Sequence, residues 1–269
     1  MSAYFALPSE NLKPFIKQYW ALENILQNEK ICIQRIVPCG LPELFFYTTP
    51  VPKVDDSNKI FPEKLFISGQ QKGHYDILIK KEISLFSVIF QPEGLKQFFN
   101  LPVNQLCNLN VSLHDIDKKL YQDIECRLSE AVSFENKVKI IELYFSALLE
   151  KNYHDYEFKR VQHVMNCIRK SHGNTKIDLL ASEACLSRKQ FERIFSESIG
   201  ESPKQYLNTV RFQYAIHKKS QNKNLTITEL AYECGYFDQA HFINEFKTMS
   251  GLTPKQFFAE GDSSSDFFG

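Results

Sequence analysis

Apolar and polar residues follow two different periods along the chain, and the change of period divides it. Ile31–Val37, Glu43–Thr48, Lys64–Ser68, His74–Ile79 and Ser84–Phe90 are short apolar runs bounded by Pro, Gly, Asn and Asp, and they read as strands. Pro14–Leu22 reads as a helix carrying the only tryptophan, Trp20, and Pro92–Phe99 as a short helix opening at Glu93-Gly94. Further on the spacing becomes helical: Ile116, Leu120, Ile124 and Leu128 over Ile116–Leu128, then Val138, Ile141, Leu143, Phe145 and Leu148 over Phe134–Leu149. Lys151–Phe158 is polar and aromatic without a clean period, as a linker would be. Everything from Phe158 onward reads helical, up to a Ser/Asp-rich tail, Gly261–Gly269, expected to be mobile.

The helical half contains a repeat. Leu179, Phe191, Phe195, Gly200, Pro203, Lys204 and Gln205 recur 51 residues later as Leu230, Phe242, Phe246, Gly251, Pro254, Lys255 and Gln256, with Ser202 matched by Thr253 and Tyr206 by Phe257. Each copy predicts a positioning helix, a tight turn, a second helix, a glycine stop and a third helix opened by Ser/Thr-Pro. In the first copy Ile177, Leu179, Leu180 and Ala184 form the expected buried stripe, Cys185 and Leu186 the turn, and Ser187 with Gln190 a capping box. In the second, Thr226 and Glu229 form a capping box, Leu230 and Ala231 face inward, Gly235 lies in the turn and Asp238 caps the next helix. Pro203–Ser220 has no breaker after its first proline and reads as a connector helix. This is a duplicated helix-turn-helix, a motif that places its second helix in the major groove of DNA.

The outward residues of the two second helices carry the candidate chemistry. In the first these are Arg188, Lys189, Glu192, Arg193 and Ser196, opposite the Phe191/Phe195 stripe. Arg193 suits guanine O6 and N7; Lys189 suits guanine or phosphate. Glu192 suits cytosine N4, or else it orients Arg193. In the second they are Gln239, Ala240, His241, Ile243, Asn244 and Lys247. Gln239 and Asn244 match adenine, Ala240 and Ile243 match thymine methyls, and Lys247 suits a phosphate. His241 reads as cap-adjacent or phosphate-contacting rather than as a metal ligand. Alone, Arg188 or Lys189 would be an ordinary solvated charge; two copies with matched caps and a connector change that balance.

Composition adds less. Formal net charge is zero and hydrophobic residues make up 43%, enough for true cores. Residues 158–258 nevertheless hold 15 Lys/Arg against 9 Asp/Glu, so the basic share falls on the repeat, as phosphate contact requires. The seven cysteines, at 32, 39, 107, 126, 167, 185 and 234, show no C-x-x-C pair, a pattern expected of a reduced cytosolic protein. Neither a signal-peptide pattern nor an 18-residue apolar stretch is present, so a cytoplasmic location without a membrane span is expected.

Ala231 through Phe257 closely resemble the DNA-binding domain of AraC/XylS-type bacterial transcriptional regulators. Ala231, Cys234-Gly235-Tyr236, Asp238-Gln239-Ala240-His241-Phe242, Phe246-Lys247, Gly251 and Thr253-Pro254-Lys255-Gln256-Phe257 follow that family's order and spacing. The resemblance covers roughly residues 158–260. It puts Lys189, Glu192 and Arg193, and Gln239, Ala240, Ile243 and Asn244, at base-facing positions; relatives often carry Arg where this chain has Asn244. Leu12, Pro14-Phe15-Ile16, Tyr19-Trp20, Arg35-Ile36-Val37-Pro38, Gly40, Pro42-Glu43-Leu44, Gly69-Gln70, Phe90, Pro92, Gly94 and Phe98-Phe99 resemble, more loosely, a sensor-type domain found in some of these regulators. Relatives commonly have Asp where this chain has Cys39.

The expectation is therefore a multidomain chain. Residues 1–152 form an α+β, β-rich and barrel-like sensor or dimerisation domain, with strands to about 110 and helices over about 115–150. Residues 153–260 form an all-α domain of two helix-turn-helix units on a connector helix. The resemblance implies double-stranded promoter DNA as partner, RNA polymerase contact in activation, and a small-molecule effector, a homodimer or both. No catalytic, cofactor or metal residues are expected. Glu43 with His74 reads as a polar pair and Cys39 as a bystander thiol. Trp20, Tyr19, Phe45, Tyr47 and Phe90 either line a ligand pocket or form an ordinary core. A DNA-repair methyltransferase fused to such a domain would need a zinc-held cysteine cluster that the scattered cysteines do not supply; a purely architectural protein is the other rival.

Overall fold

A computed structural model describes residues 2–25, 32–54, 61–79, 82–99, 101–153 and 155–259; the side chains of 24, 25 and 155 and the expected tail at 261–269 lie outside the description. The N-terminal half contains β1 (Ser2–Ala6), β2 (Ile16–Ile25), β3 (Cys32–Ile36), β4 (Glu43–Tyr47), β5 (Lys53–Val54), β6 (Leu65–Ser68), β7 (Tyr75–Ile79), β8 (Glu82–Phe90) and β9 (Asn110–Ser112). Helix α1 (Leu95–Phe98) and a 3-10 turn at Val103–Leu106 precede β9; α2 (Leu113–Ile116), α3 (Lys118–Glu130) and α4 (Phe134–Asn152) follow it. A six-stranded antiparallel sheet, β1-β2-β8-β4-β6-β9, faces a three-stranded one, β3-β7-β5.

Strand alternation assigns the two faces of the large sheet to two cores. On β8, Ile83, Leu85 and Ile89 enter the space between the sheets, while Phe86, Val88 and Phe90 face the helices. On β4, Leu44 and Phe46 join the helical side and Tyr47 the inter-sheet side. The helical layer closes with Phe98 of α1, Ile124 and Leu128 of α3, and Ile141 and Phe145 of α4. The inter-sheet layer contains Trp20, Tyr47, Phe66, Tyr75 and Ile77.

The expected helix at Pro14–Leu22 is a strand instead. A turn through residues 10–15 leads into β2, which pairs with β8 from Ile16↔Phe90 to Ile25↔Glu82. Both faces of β2 are buried, Tyr19 and Ala21 toward the helices and Trp20 and Leu22 between the sheets. A strand covered on both faces loses the period of two and shows a continuous apolar run, which a helix mimics. A register shift between Ile16 and Gln18 lets Ile16 share a face with Tyr19.

The junction at Lys151–Phe158 is packed rather than loose. Helix α4 runs to Asn152, whose Nδ2 donates to the Phe98 carbonyl at 2.7 Å, and α5 (Asp155–Lys170) begins almost at once. Tyr153 and Phe158 stack edge-on, and Phe158 is buried in the N-terminal core.

The C-terminal half continues with α6 (Ile177–Glu183), α7 (Arg188–Ile199), α8 (Pro203–Gln221), α9 (Ile227–Glu233), α10 (Gln239–Ser250) and α11 (Pro254–Ala259). It has two cores. Val164, Met165 and Ile168 of α5 enclose Leu180, Phe191, Phe195 and Ile199. Leu230, Ala231, Phe242, Phe246 and Phe257 form the other. Helix α8 serves both, through Tyr206 and Leu207 at its start and Phe212, Ala215 and Ile216 further on. At about 1.5 Å per residue, its 19 residues extend roughly 28 Å.

Candidate nucleic-acid interface

The two recognition helices are set by matched terminal signals. Ser187 accepts from the Gln190 amide and Gln190 returns the bond, a full capping box at the start of α7. Thr226 and Glu229 form the same box at α9, and Asp238 accepts from the His241 amide at 2.7 Å to cap α10. Helices α7 and α10 end at Gly200 (φ 100°) and Gly251 (φ 76°), left-handed positions; a side chain at Gly251 would also clash with His74, and one at Gly200 would press on Gln70 and Val103.

The repeat has a finer register than a uniform 51-residue offset. Leu179 is 56% exposed, so it is not the counterpart of fully buried Leu230; Leu180 is. The Ala184→Leu180, Cys185→Ser182 and Leu186→Ala181 amide-to-carbonyl bonds recur as Cys234→Leu230, Gly235→Tyr232 and Tyr236→Ala231, an offset of 50. Cys185 (φ 53°) occupies the left-handed turn position that Gly235 (φ 77°) fills in the second copy. One extra residue, Phe237, 88% exposed, then restores the offset of 51 before Asp238.

The predicted base-facing residues lie together on the outer faces. Arg188, Lys189 and Arg193 are exposed on α7, and Glu192 and Ser196 are half-buried beside them. Gln239, Ala240, His241, Asn244 and Lys247 are exposed on α10, with Ile243 half-buried. Phe191, Phe195, Phe242 and Phe246 point inward, at 2% exposure or less. The carboxylate pairing differs from the one expected: Glu192 accepts from Arg188 Nε at 3.0 Å rather than orienting Arg193. Arg188 also meets Asp178 of α6 at 3.1 Å, and Arg193 pairs with Glu197 at 3.1 Å. Asp178 and Glu197 were missed from the sequence, although Glu197 stands four residues after Arg193, a spacing that brings helical side chains together. On α10, Thr228 donates to Gln239 Oε1 at 2.8 Å, and His241 packs edge-on against Tyr236. Tyr236 donates to Glu245 at 2.8 Å, and Arg211 of α8 lies over the Tyr236 ring, tying the connector to α10.

The N-terminal domain holds both recognition helices by their C-terminal ends. Gly200, closing α7, sits against Gln70 and Val103, and Lys96 reaches Ser198. Arg35 of β3 is bidentate to Asp76 at 2.8 Å and donates to the Ser250 carbonyl at 3.3 Å, a cation at the negative end of α10. That pairing holds the Asp76 carboxyl below its usual range. The His74 ring packs on Gly251. Between these ends, Gln213 of α8 donates to the Pro38 carbonyl and Gly40 lies on Tyr206. Arg169 Nη2 of α5 donates to both carboxylate oxygens of Glu93, which is only 2% exposed, at 2.9 and 3.0 Å; burial raises that carboxyl while Arg169 opposes the rise.

The aromatic set considered for a pocket divides between layers. Trp20, Phe45 and Tyr47 belong to the inter-sheet cluster, Tyr19 and Phe90 to the helical core, because neighbouring strand residues face opposite ways. Glu43 is buried between the sheets, accepting from Trp20 Nε1 at 2.6 Å and from the Ser87 hydroxyl; burial pushes its carboxyl up to about 7. His74, its expected partner, lies at the domain interface against Gly251. Burial likewise pushes the Cys39 thiol up to about 11, the inert state of a bystander.

Several known proteins and domain families resemble this chain in part. Residues 180–260 match a helix-turn-helix domain family, and residues 4–112 match a domain family of unknown function. An uncharacterized helix-turn-helix-type transcriptional regulator of Haemophilus influenzae is 40% identical over 30% of this chain, which spans only 27% of that relative's length. The helix-turn-helix-type transcriptional regulator MtrA of Neisseria gonorrhoeae is 25% identical over 83% of this chain and 79% of its own. Among solved structures, ToxT of Vibrio cholerae aligns over 90% of this chain and 97% of its own at 13% identity, with a TM-score of 0.45. No helix among the described residues is long and apolar enough to cross a membrane.

Proposed function

We propose, on the premise that the C-terminal segment belongs to the AraC/XylS-type helix-turn-helix regulators, that this chain is a transcriptional regulator that binds promoter DNA sequence-specifically. The observation that carries this reading is the pair of capped units on one connector helix, with the N-terminal turns of both recognition helices exposed. Residues 153–260 act as the DNA-binding domain, with Arg188, Lys189, Glu192 and Arg193 over one major-groove segment. Gln239, Ala240, His241, Ile243, Asn244 and Lys247 lie over the next. Residues 1–152 act as the control domain, responding to a small molecule or to a second copy of the chain. Its contacts at Ser198–Gly200 and Ser250–Gly251 give it a direct hold on how the recognition helices are presented. The protein works where bacterial promoters are, in the cytoplasm, as an activator touching RNA polymerase and not as an enzyme.

The test is selection of sequences from a genomic fragment library by the full-length protein at roughly 150 mM salt, where nonspecific phosphate binding is weakened. Enrichment of two short elements about one helical turn apart is expected, with one element lost on Arg193→Ala. Recovery of no motif would reject sequence-specific recognition by the free protein.

A further inference from the structure

Beside the first unit, α5 and α6 meet at three side chains that the DNA interface does not use. His163 Nε2 lies 2.9 Å from Glu183 Oε2, and Cys167 Sγ lies 4.0 Å from the same nitrogen. All three potential ligand atoms fall within 4.8 Å of one another. His163 and Cys167 are four residues apart on α5 and so share one face. Glu183 closes α6 opposite them. We propose that His163, Cys167 and Glu183 bind a divalent transition-metal ion of the zinc class, stapling α5 to the positioning helix of the first unit.

The geometry requires little adjustment. Around tetrahedral zinc, with bonds of about 2.0–2.3 Å, neighbouring ligand atoms stand roughly 3.3–3.6 Å apart. The 2.9 and 4.0 Å separations bracket that range, and rotations at the side-chain tips supply the difference. The charges also match. A neutral imidazole, a thiolate and a carboxylate balance a divalent cation, with the thiol proton released to solvent on binding. Nitrogen and sulfur donors select zinc-like ions over calcium or magnesium, which take oxygen ligands. Cys167 packs against the first-unit core, which fixes the thiol's position, while His163 and Glu183 are 56% and 43% exposed and open to solvent. Three protein ligands leave a fourth position for water.

The test is metal titration of the purified full-length protein, with cobalt(II) as the spectroscopic probe and zinc competing against a chromophoric chelator. One ion per chain is expected, together with a thiolate-to-cobalt charge-transfer band and a zinc-dependent rise in Tm. Cys167→Ser should abolish the band. Cys167→Ser and His163→Gln should each weaken zinc at least about 100-fold, since loss of even an outer-shell partner costs about 10- to 100-fold. Glu183→Gln, at an exposed position, should keep the metal-free helical content and lose the zinc-dependent Tm rise. Absence of binding, or a cobalt spectrum unchanged in Cys167→Ser, would overturn the proposal and leave a hydrogen-bonded His163–Glu183 pair beside a bystander thiol.

Discussion

The two helix-turn-helix units share a skeleton and differ in their chemistry. Both turns use the same backbone hydrogen bonds and both recognition helices bury two phenylalanines at the same spacing. Helix α7, however, presents Arg188, Lys189 and Arg193, with both arginines already paired to Asp178, Glu192 and Glu197. Helix α10 presents Gln239, Ala240, Ile243 and Asn244, with Lys247 further along. The difference teaches that the two units share what folds them and differ in what they present outward. On the proposed reading, the first surface exchanges ion pairs within α7 and to Asp178 of α6 for guanine edges or phosphates. The second offers amide and methyl groups suited to A·T pairs.

The largest effect should come from the shared skeleton. Phe195→Ala and Phe246→Ala should each destabilise their own unit by about 3–5 kcal/mol. Native-state hydrogen exchange should show the loss in one core with the other protected; collapse of both cores together would show that α8 fuses them into one cooperative body.

Next come the reading surfaces. Arg193→Ala should cost about 1–3 kcal/mol of discrimination at one element and Asn244→Ala should act at the other. Selection profiles of the two variants check this, and coincident effects would erase the division of labour.

Of the two units only the first should contribute a pH effect, beside the one that buried Glu43 contributes from the N-terminal half. Glu201 follows Gly200, is 3% exposed and has a buried Oε2 without a hydrogen-bond partner; burial pushes its carboxyl up to about 7, opposed by Lys72. The second unit has Leu252 at this place. Because the folded value lies above the ordinary 4.5, the folded state holds the proton more tightly. Stability is then fully present below about pH 4.5 and falls as pH rises through about 7, by on the order of 3 kcal/mol. Denaturation from pH 5 to 8 should show a steeper fall in the wild type than in Glu201→Gln, with the remaining slope supplied by Glu43.

The caps should matter somewhat less and equally. Ser187→Ala and Thr226→Ala are each expected to cost about 1 kcal/mol by thermal melting. The smallest effect is electrostatic: Lys247→Ala should weaken binding to all sequences alike and lower the salt slope by about 1.

Much of the C-terminal half was legible because its determinants are local. Ser187/Gln190, Thr226/Glu229, Gly200, Gly251 and the Ser/Thr-Pro pairs each act within a turn of their own position. The 50-to-51 register change was not, because Leu179 and Leu180 are equally apolar and only packing shows which one is buried. In the N-terminal half β3, β4, β6, β7 and β8 were legible, whereas β1, β5 and β9 were not read as strands and β2 was read as a helix, since burial on both faces removed its alternation. The hold of Arg35 on Ser250 spans 215 residues, and no local pattern announces it. The candidate base-facing residues were identified as a set, but their carboxylate partners depended on rotamers that spacing alone leaves open.

The most direct measurement of two-segment reading by one chain is affinity for a selected site with 5 or 10 base pairs inserted between its two elements. On the proposed reading, the rigid connector, roughly 28 Å long, sets the two elements about one turn apart. Both insertions should therefore reduce affinity to that of a site with one element destroyed. Recovery of full affinity with 10 base pairs but not with 5 would contradict this, showing that the elements are read by separate chains or across a flexible joint.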